Sequence, residues 1–333
     1  MSTAFRRMER VFRRGNGVLT EYDACVAGAL DFEKGGGLQI LAPRLPLDLT
    51  MHDGSSSLLS FAAIGGVYTL PGYPGFYFLP KALTNPQQRA LSLACLRHYI
   101  EPPLSQRNVI ASPPGGLWLD SLRKNHSGGK VLLHELAWAT LGAHYDWKAR
   151  SYLPSDPSLL ANSTATFPPI LSGLCRAVAA HVHDALQLSP FVPCHAHAPW
   201  GLPMMPFTPH TGIVSFYHPS RSKERLPIAG HKDDADGEDL SAPVVSLSLG
   251  ATAVFLLGST SKDVSPTPLL LRGGDVMILS GESRVCVHGV PRVISPLIPP
   301  ILPPDHDSCE EAGLTRLLSC SRINVTVRQL VRR

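Results

Sequence analysis

The chain has 333 residues, 44% apolar and 17% charged, a globular composition that excludes a disordered or fibrous protein. Its net charge of +4 allows a nucleic-acid partner without arguing for one, and no run of about 18 apolar residues marks a membrane span. The seven cysteines (Cys25, Cys95, Cys175, Cys194, Cys286, Cys309 and Cys320) contain no Cys-x-x-Cys pair. That sets aside a disulfide framework or zinc cage and points to a reducing compartment.

In chain order, the opening "MSTAFRRMERVFRRGNG" repeats Phe5, Met8 and Phe12 at helical spacing among Arg6, Arg7, Arg10, Arg13 and Arg14. It reads either as a mitochondrial presequence or as a basic amphipathic helix docked by its apolar stripe. Residues 15–70 read as glycine-rich loops. Gly75–Leu79 is a short aromatic strand, and Thr84 is the N-cap of a helix with Pro86 in its first turn, ending before Pro102. Residues 110–130, "IASPPGGLWLDSLRKNHSGGK", read as loop. "LAWATLGAHYDWKARSY" follows, with two of the four tryptophans. Residues 168–187 form an amphipathic helix, and the proline-rich connection after it contains Cys194, His195 and His197, too crowded for a structural zinc site. From Thr211 onward seven short β-rich runs, mostly closed by Gly or Pro, predict a sandwich or jelly roll. Ile294–Cys320 interrupts them with a proline run and a short helix.

Two features in this second half carry chemistry. In "GHKDDADGEDL", His231 and Asp233 stand two residues apart, so on extended backbone both project to one side; Lys232 between them is expected to point away. His288 stands on another short run. Alone it reads as an ordinary strand histidine, but two histidines and a carboxylate on adjacent strands make the facial triad of non-haem Fe(II) oxygenases. In "SRINVTVRQL", alternation puts Arg322, Asn324, Thr326 and Arg328 on one face and Ile323, Val325 and Val327 on the other. If that strand lies inside the barrel, two buried cations need a partner, and the dicarboxylate 2-oxoglutarate supplies one. If it is an edge strand, the arginines face solvent.

The series His231-Lys232-Asp233, His288 and Arg322-Ile323-Asn324-Val325-Thr326-Val327-Arg328 resembles the HxD…H…RxNxTxR pattern of the AlkB family of Fe(II)/2-oxoglutarate dioxygenases. "WATLGAHYDW", "PVVSLSLGATAVFLLG" and the insertion before "RINVTVRQ" are most similar to the AlkB-homologue-one subgroup. The resemblance implies a mostly β fold with flanking helices (α+β), built on a double-stranded β-helix (jelly roll) core with an N-terminal helical and lid extension. It divides the chain into an extension, 1–130, packing on the core, and a dioxygenase domain, 131–333. The second holds a nucleotide-recognition lid at about 134–152, the jelly roll at about 211–331 and an insertion at about 294–320. In that subgroup the arginine-rich start belongs to the folded protein, which favours the docked helix.

By the same resemblance, His231, Asp233 and His288 hold Fe(II). Arg322 and Arg328 bind the two carboxylates of 2-oxoglutarate, with Asn324 and Tyr217 nearby, and O2 is the second co-substrate. Ser215 stands where the family usually has asparagine, and its hydroxyl can still bond directly or through water. The implied activity is oxidative demethylation of N-methylated bases in tRNA or DNA, a repair or modification reaction, by a monomer with a nucleic-acid partner and no membrane, in nucleus or cytoplasm, or in the mitochondrion if the first helix is a presequence. A flipped base needs aromatic neighbours: Trp138, Tyr145 and Trp147 are candidates, Tyr145 foremost. Asp234 is a candidate for the base edge, and the N-terminal arginines with Lys148 and Arg150 for phosphate. The alternatives are the same chemistry on a protein substrate such as histone methyl-lysine, or a non-catalytic nucleic-acid-binding module. Arg328→Ala is expected to abolish 2-oxoglutarate turnover with the fold intact.

Overall fold

A computed structural model describes residues 2–13, 20–31, 39–42, 66–127, 131–152, 167–188, 206–218, 228–294 and 309–331. Helices α1 (Ala4–Arg13) and α2 (Glu21–Val26) lead into strands β1 (Gln39–Ala42), β2 (Val67–Thr69) and β3 (Phe76–Leu79). Helix α3 (Asn85–Ala94), β4 (Ser105–Arg107), α4 (Gly116–Ser127), β5 (Trp138–Gly142) and α5 (Pro169–Leu188) follow. The second half runs β6 (Thr211–Tyr217), β7 (Val244–Gly250), β8 (Ala253–Leu257), β9 (Thr267–Leu271), β10 (Val276–Leu279), β11 (His288–Val293), α6 (Cys309–Cys320) and β12 (Arg322–Arg328).

The strands form two sheets. Nine lie in the order β1-β2-β3-β10-β7-β12-β6-β5-β4, and three in the order β11-β8-β9. An antiparallel bridge from His231 to His288 extends the smaller sheet past β11. Alternation explains how both faces of the larger sheet are covered. Phe76 and Phe78 of β3, and Met277 and Leu279 of β10, join Phe255, Leu257 and Leu269 in the core between the sheets. Tyr77, Leu79, Val276 and Ile278 belong to a second core under the helices, with Leu171, Leu174, Val178 and Val182 of α5 at helical spacing. A third core, beneath α1, takes Phe5 and Phe12 with Val254, Leu256 and Val287. The first helix is thus docked by the stripe its sequence shows.

β12 is a central strand. It pairs antiparallel with β6 on one side and β7 on the other, and Ile323, Val325 and Val327 enter the helix-side core. Its row of Arg322, Asn324, Thr326 and Arg328 therefore faces the space between the sheets, which rules out the edge-strand reading.

Three expectations need correction. Residues 116–127, read as loop, form α4: Leu117 and Trp118 are buried, and the Leu117 N–H donates to Glu101 Oε1 at 2.7 Å. The preceding glycines and a polar outer face mask a helix whose partner lies outside the local sequence. Within 15–70, α2 is nucleated by a reciprocal capping box between Thr20 and Asp23, a local device on a helix too short to show periodicity. The boundary at residue 130 falls inside the larger sheet, because β2, β3 and β4 pair into it; the described part of 1–130 supplies core strands as well as a docked helix. Residues 295–308 of the insertion, Arg14 and residues 194–197, with Cys194, His195 and His197, lie outside the described residues.

Candidate metal centre and its cavity

The metal candidates come together because two short segments exchange backbone bonds. The His231 N–H donates to His288 O at 2.9 Å and the His288 N–H to His231 O at 2.8 Å, so the two side chains stand directly opposite one another. Close approach is possible because residue 289 is glycine: a Cβ there would meet Ile228 O at 3.0 Å and Gly230 N at 3.1 Å. Asp233, two residues beyond His231, turns to the same point. One ligand atom from each of the three lies within 4.8 Å of the others. His231 Nε2 is 3.9 Å from Asp233 Oδ1, and His288 Nε2 is 3.7 Å from Asp233 Oδ2.

The tautomers follow from the partners. His231 Nδ1 sits 2.9 Å from Ala229 O and His288 Nδ1 3.0 Å from Cys286 O. A carbonyl only accepts, so each Nδ1 carries the proton and each Nε2 lone pair is turned inward, as a metal requires. Burial pushes the His288 imidazole down to about 4, helped by His231 and opposed by Asp233. It is neutral at physiological pH. Burial alone would raise the Asp233 carboxyl, but the Arg328 guanidinium beside it, with both imidazoles, holds it below the usual carboxylate range.

Behind the triad lies a chain of alternating charge. Arg328 Nη2 donates to Asp233 Oδ1 at 2.7 Å, and its Nε is 3.5 Å from Glu238 Oε1. Arg284 Nη2 donates to Glu238 Oε2 at 2.6 Å, and its other nitrogens bond Ala242 O and Asp233 O. All four side chains are buried. Burial raises Glu238 against the pull of Arg328 and Arg284.

The triad borders a cavity of about 500 Å³. Ser215, Tyr217, Asn324, Thr326 and Arg328 line it on one side, and Trp138, Tyr145, Trp147, Arg150 and Tyr152 on another. Register explains the grouping, since Ser215 pairs with both Asn324 and Trp138 across β6. The aromatic wall is continuous: Trp138–Trp147 and Tyr145–Trp147 ring centroids are 4.7 Å apart and Tyr145–Tyr152 4.9 Å. Arg322 is fully buried behind this lining, bonded to Ser248 Oγ at 2.8 Å and Asn324 Oδ1 at 3.1 Å. Burial lowers it to about 10, against Tyr217 and Asp275, which leaves it cationic.

Two sequence expectations change. Asp234 is exposed and does not line the cavity; Ala235 does. The alternation that turns His231 and Asp233 inward sends residue 234 out. Lys232, expected to point away, is among the lining residues. Glu238, Arg284 and Tyr152 were not singled out from the sequence. In an acidic run Glu238 resembles a solvated residue, and only the fold shows that Arg284, 46 positions later, meets it.

A family model described as the 2OG-Fe(II) oxygenase superfamily matches residues 75–328. The chain belongs to this superfamily. Within it, it falls in the AlkB-homologue-one subgroup. It is 30% identical over 298 residues to a DNA N(6)-methyladenine demethylase, ALKBH1A, of Arabidopsis thaliana, covering 79% of this chain and 77% of that one. It is 28% identical over 363 residues to the nucleic acid dioxygenase ALKBH1 of Mus musculus, covering 98% and 84%. The solved structure of OsALKBH1 aligns with a TM-score of 0.52 at 23% identity, covering 79% of this chain and 99% of that one, a likeness of fold.

Fe(II) and 2-oxoglutarate, with O2, are accordingly the cofactor and co-substrates. The residues fit them. Two imidazoles and one carboxylate are an Fe(II) donor set. Buried Arg322 Nε and Arg328 Nη1 make no hydrogen bond among the described residues, the demand that carboxylate oxygens meet.

Proposed function

We propose that the chain is an oxidative demethylase of N-methylated bases in nucleic acid. The observation that carries this reading is one cavity bounded both by the His231–Asp233–His288 triad and by a wall of four aromatic rings. The names of the relatives, which act on DNA or on nucleic acid, support it.

Bound at the triad, Fe(II) would supply the oxidation: 2-oxoglutarate and O2 become succinate and CO2, and the N-methyl group leaves as formaldehyde. The chain's own groups prepare the site. Ala229 O and Cys286 O accept from the two Nδ1 atoms and so turn each Nε2 toward the metal position. Arg328 fixes the rotamer of Asp233 and keeps it ionised, with Nη1 left to meet one carboxylate of 2-oxoglutarate. Ser215, Tyr217 and Asn324 line the cavity, and behind Asn324, bonded to it, stands Arg322, whose Nε would meet the other. Trp138 and Tyr145 offer faces on which an unstacked base can lie, each worth about 1–3 kcal/mol. Arg150, exposed at the mouth, and Lys148 beside it in sequence suit a phosphate backbone.

The test is turnover by iron-loaded protein of methylated oligonucleotides and methyl-lysine peptides, with products read by mass spectrometry. Loss of methyl from a base, and none from peptides, is expected. Turnover of peptides alone would overturn the substrate assignment.

A further inference from the structure

Residues 1–20 contain a single acid, Glu9, among five arginines. On a basic surface helix that acid would be expected to face water. It is instead 4% exposed, on the stripe with Phe5 and Phe12. Its Oε1 lies 3.6 Å from Arg13 Nη2 one turn on, and at the shorter distance of 2.8 Å it accepts the backbone N–H of Gly230. Gly230 immediately precedes the metal candidate His231.

The surrounding geometry makes this more than a docking contact. Residues 228–231 form the outer edge of the smaller sheet. Val290 N–H donates to Ile228 O at 3.0 Å, and His231 exchanges both bonds with His288. Alternate residues of a strand direct their N–H groups to opposite sides, so the Gly230 N–H points away from β11. It is the edge donor that the sheet leaves over. Glu9 takes it. The Phe5 ring closes on the same residue, where a Cβ would meet Phe5 Cε1 at 2.4 Å, and Phe5 N–H is itself tied to Lys262 O at 2.9 Å. The segment is held on one side by β11 and on the other by α1. It also carries Ala229 O, the acceptor that orients the His231 ring.

We propose that Glu9 is a positioning residue for the metal centre: from the first helix its carboxylate holds Gly230 and so fixes where His231 presents Nε2. This rests on the assignment of His231 to the metal. Glu9 lies 222 positions before that ligand and touches neither substrate nor co-substrate. It acts as partners behind metal ligands do, where substitution costs about 10–100-fold in metal affinity.

The experiment is titration of the full-length, metal-free protein with Co(II), followed by visible ligand-field absorption and calorimetry, alongside thermal unfolding of the same samples. Glu9→Ala is expected to weaken Co(II) by about tenfold, the low end for a contact one residue removed from the ligand, and to alter the Co(II) spectrum. Glu9→Gln keeps a carbonyl oxygen for the Gly230 N–H and should bind as the parent does. Phe12→Ala removes an equally buried side chain of the same helix without touching Gly230. It should lower thermal stability at least as much as Glu9→Ala and leave Co(II) affinity and spectrum unchanged. Glu9→Ala binding Co(II) like the parent would overturn the proposal. So would equal weakening in Glu9→Ala and Phe12→Ala at matched stability, which would make the helix a support of the fold alone. Parent and His231→Ala binding Co(II) indistinguishably would instead sink the metal assignment beneath it.

Discussion

Arg328→Ala removes the central cation of the buried charge chain. In the intact protein that guanidinium donates to Asp233 Oδ1 at 2.7 Å and lies 3.5 Å from Glu238 Oε1. Truncation leaves two buried carboxylates with only Arg284, which bonds Glu238 and the Asp233 backbone carbonyl, for compensation. At an effective dielectric of about 20, one charge pair near 4 Å is worth about 4 kcal/mol, and breaking a buried pair from one side costs about 3–5 kcal/mol. The metal-free variant should therefore lose about 3–5 kcal/mol of stability as well as 2-oxoglutarate turnover. That replaces the expectation, from sequence, of an intact fold. A divalent cation neutralises Asp233, so Mn(II) should restore stability to the variant by more than it adds to the parent. Urea unfolding with and without Mn(II), beside an assay of succinate release, measures both effects. A variant with the parent's unfolding midpoint, or one that Mn(II) stabilises no more than the parent, would refute the electrostatic argument.

Other outcomes follow from the same structure. Arg284→Met should destabilise by about 3–5 kcal/mol, because Glu238 loses its shortest cation contact, and urea unfolding reads this directly. Asp275 is pushed by burial up to about 6 from an ordinary 3.8, against donation from the Lys81 and Arg272 N–H groups. Its folded form keeps a proton that the unfolded form has lost, so its contribution is full below the unfolded value and disappears as pH rises through the folded one. The difference in stability between parent and Asp275→Asn should change by about 3 kcal/mol across that window and be flat above it; unfolding midpoints taken through the window test the sign. Tyr145→Ala should weaken binding of a methylated oligonucleotide by about 1–3 kcal/mol while leaving KM for 2-oxoglutarate unchanged. A shift in that KM instead would place the ring on the co-substrate side of the cavity.

Much of the site was legible because its geometry is local. Period-two alternation assigned the two faces of β12, and the i, i+2 spacing of His231 and Asp233 already implied convergence. The same rule points to Ala235 as the next inward residue and turns the carboxylate of Asp234 to solvent. What stayed hidden depends on contacts distant in sequence. The pairing of β3 with β10 is set by a register across some 200 residues. The Arg284–Glu238 pair and the Glu9–Gly230 bond join segments 46 and 221 positions apart. Helix α4 shows its apolar stripe only once Glu101 is known to lie at its start. Tyr152 joins the aromatic wall through a backbone bond to Asp236 O, which no local pattern announces.

The central claim joins the triad to a methylated base, and one measurement addresses both ends. Iron-loaded protein is supplied with 2-oxoglutarate and a methylated oligonucleotide, and succinate, formaldehyde and demethylated base are quantified together for the parent, His231→Ala and Asp233→Ala. The account expects the three products in equal amounts from the parent and none above background from either variant. Succinate formed at the parent's rate by the variants, or formaldehyde without a matching loss of base methylation, would contradict it.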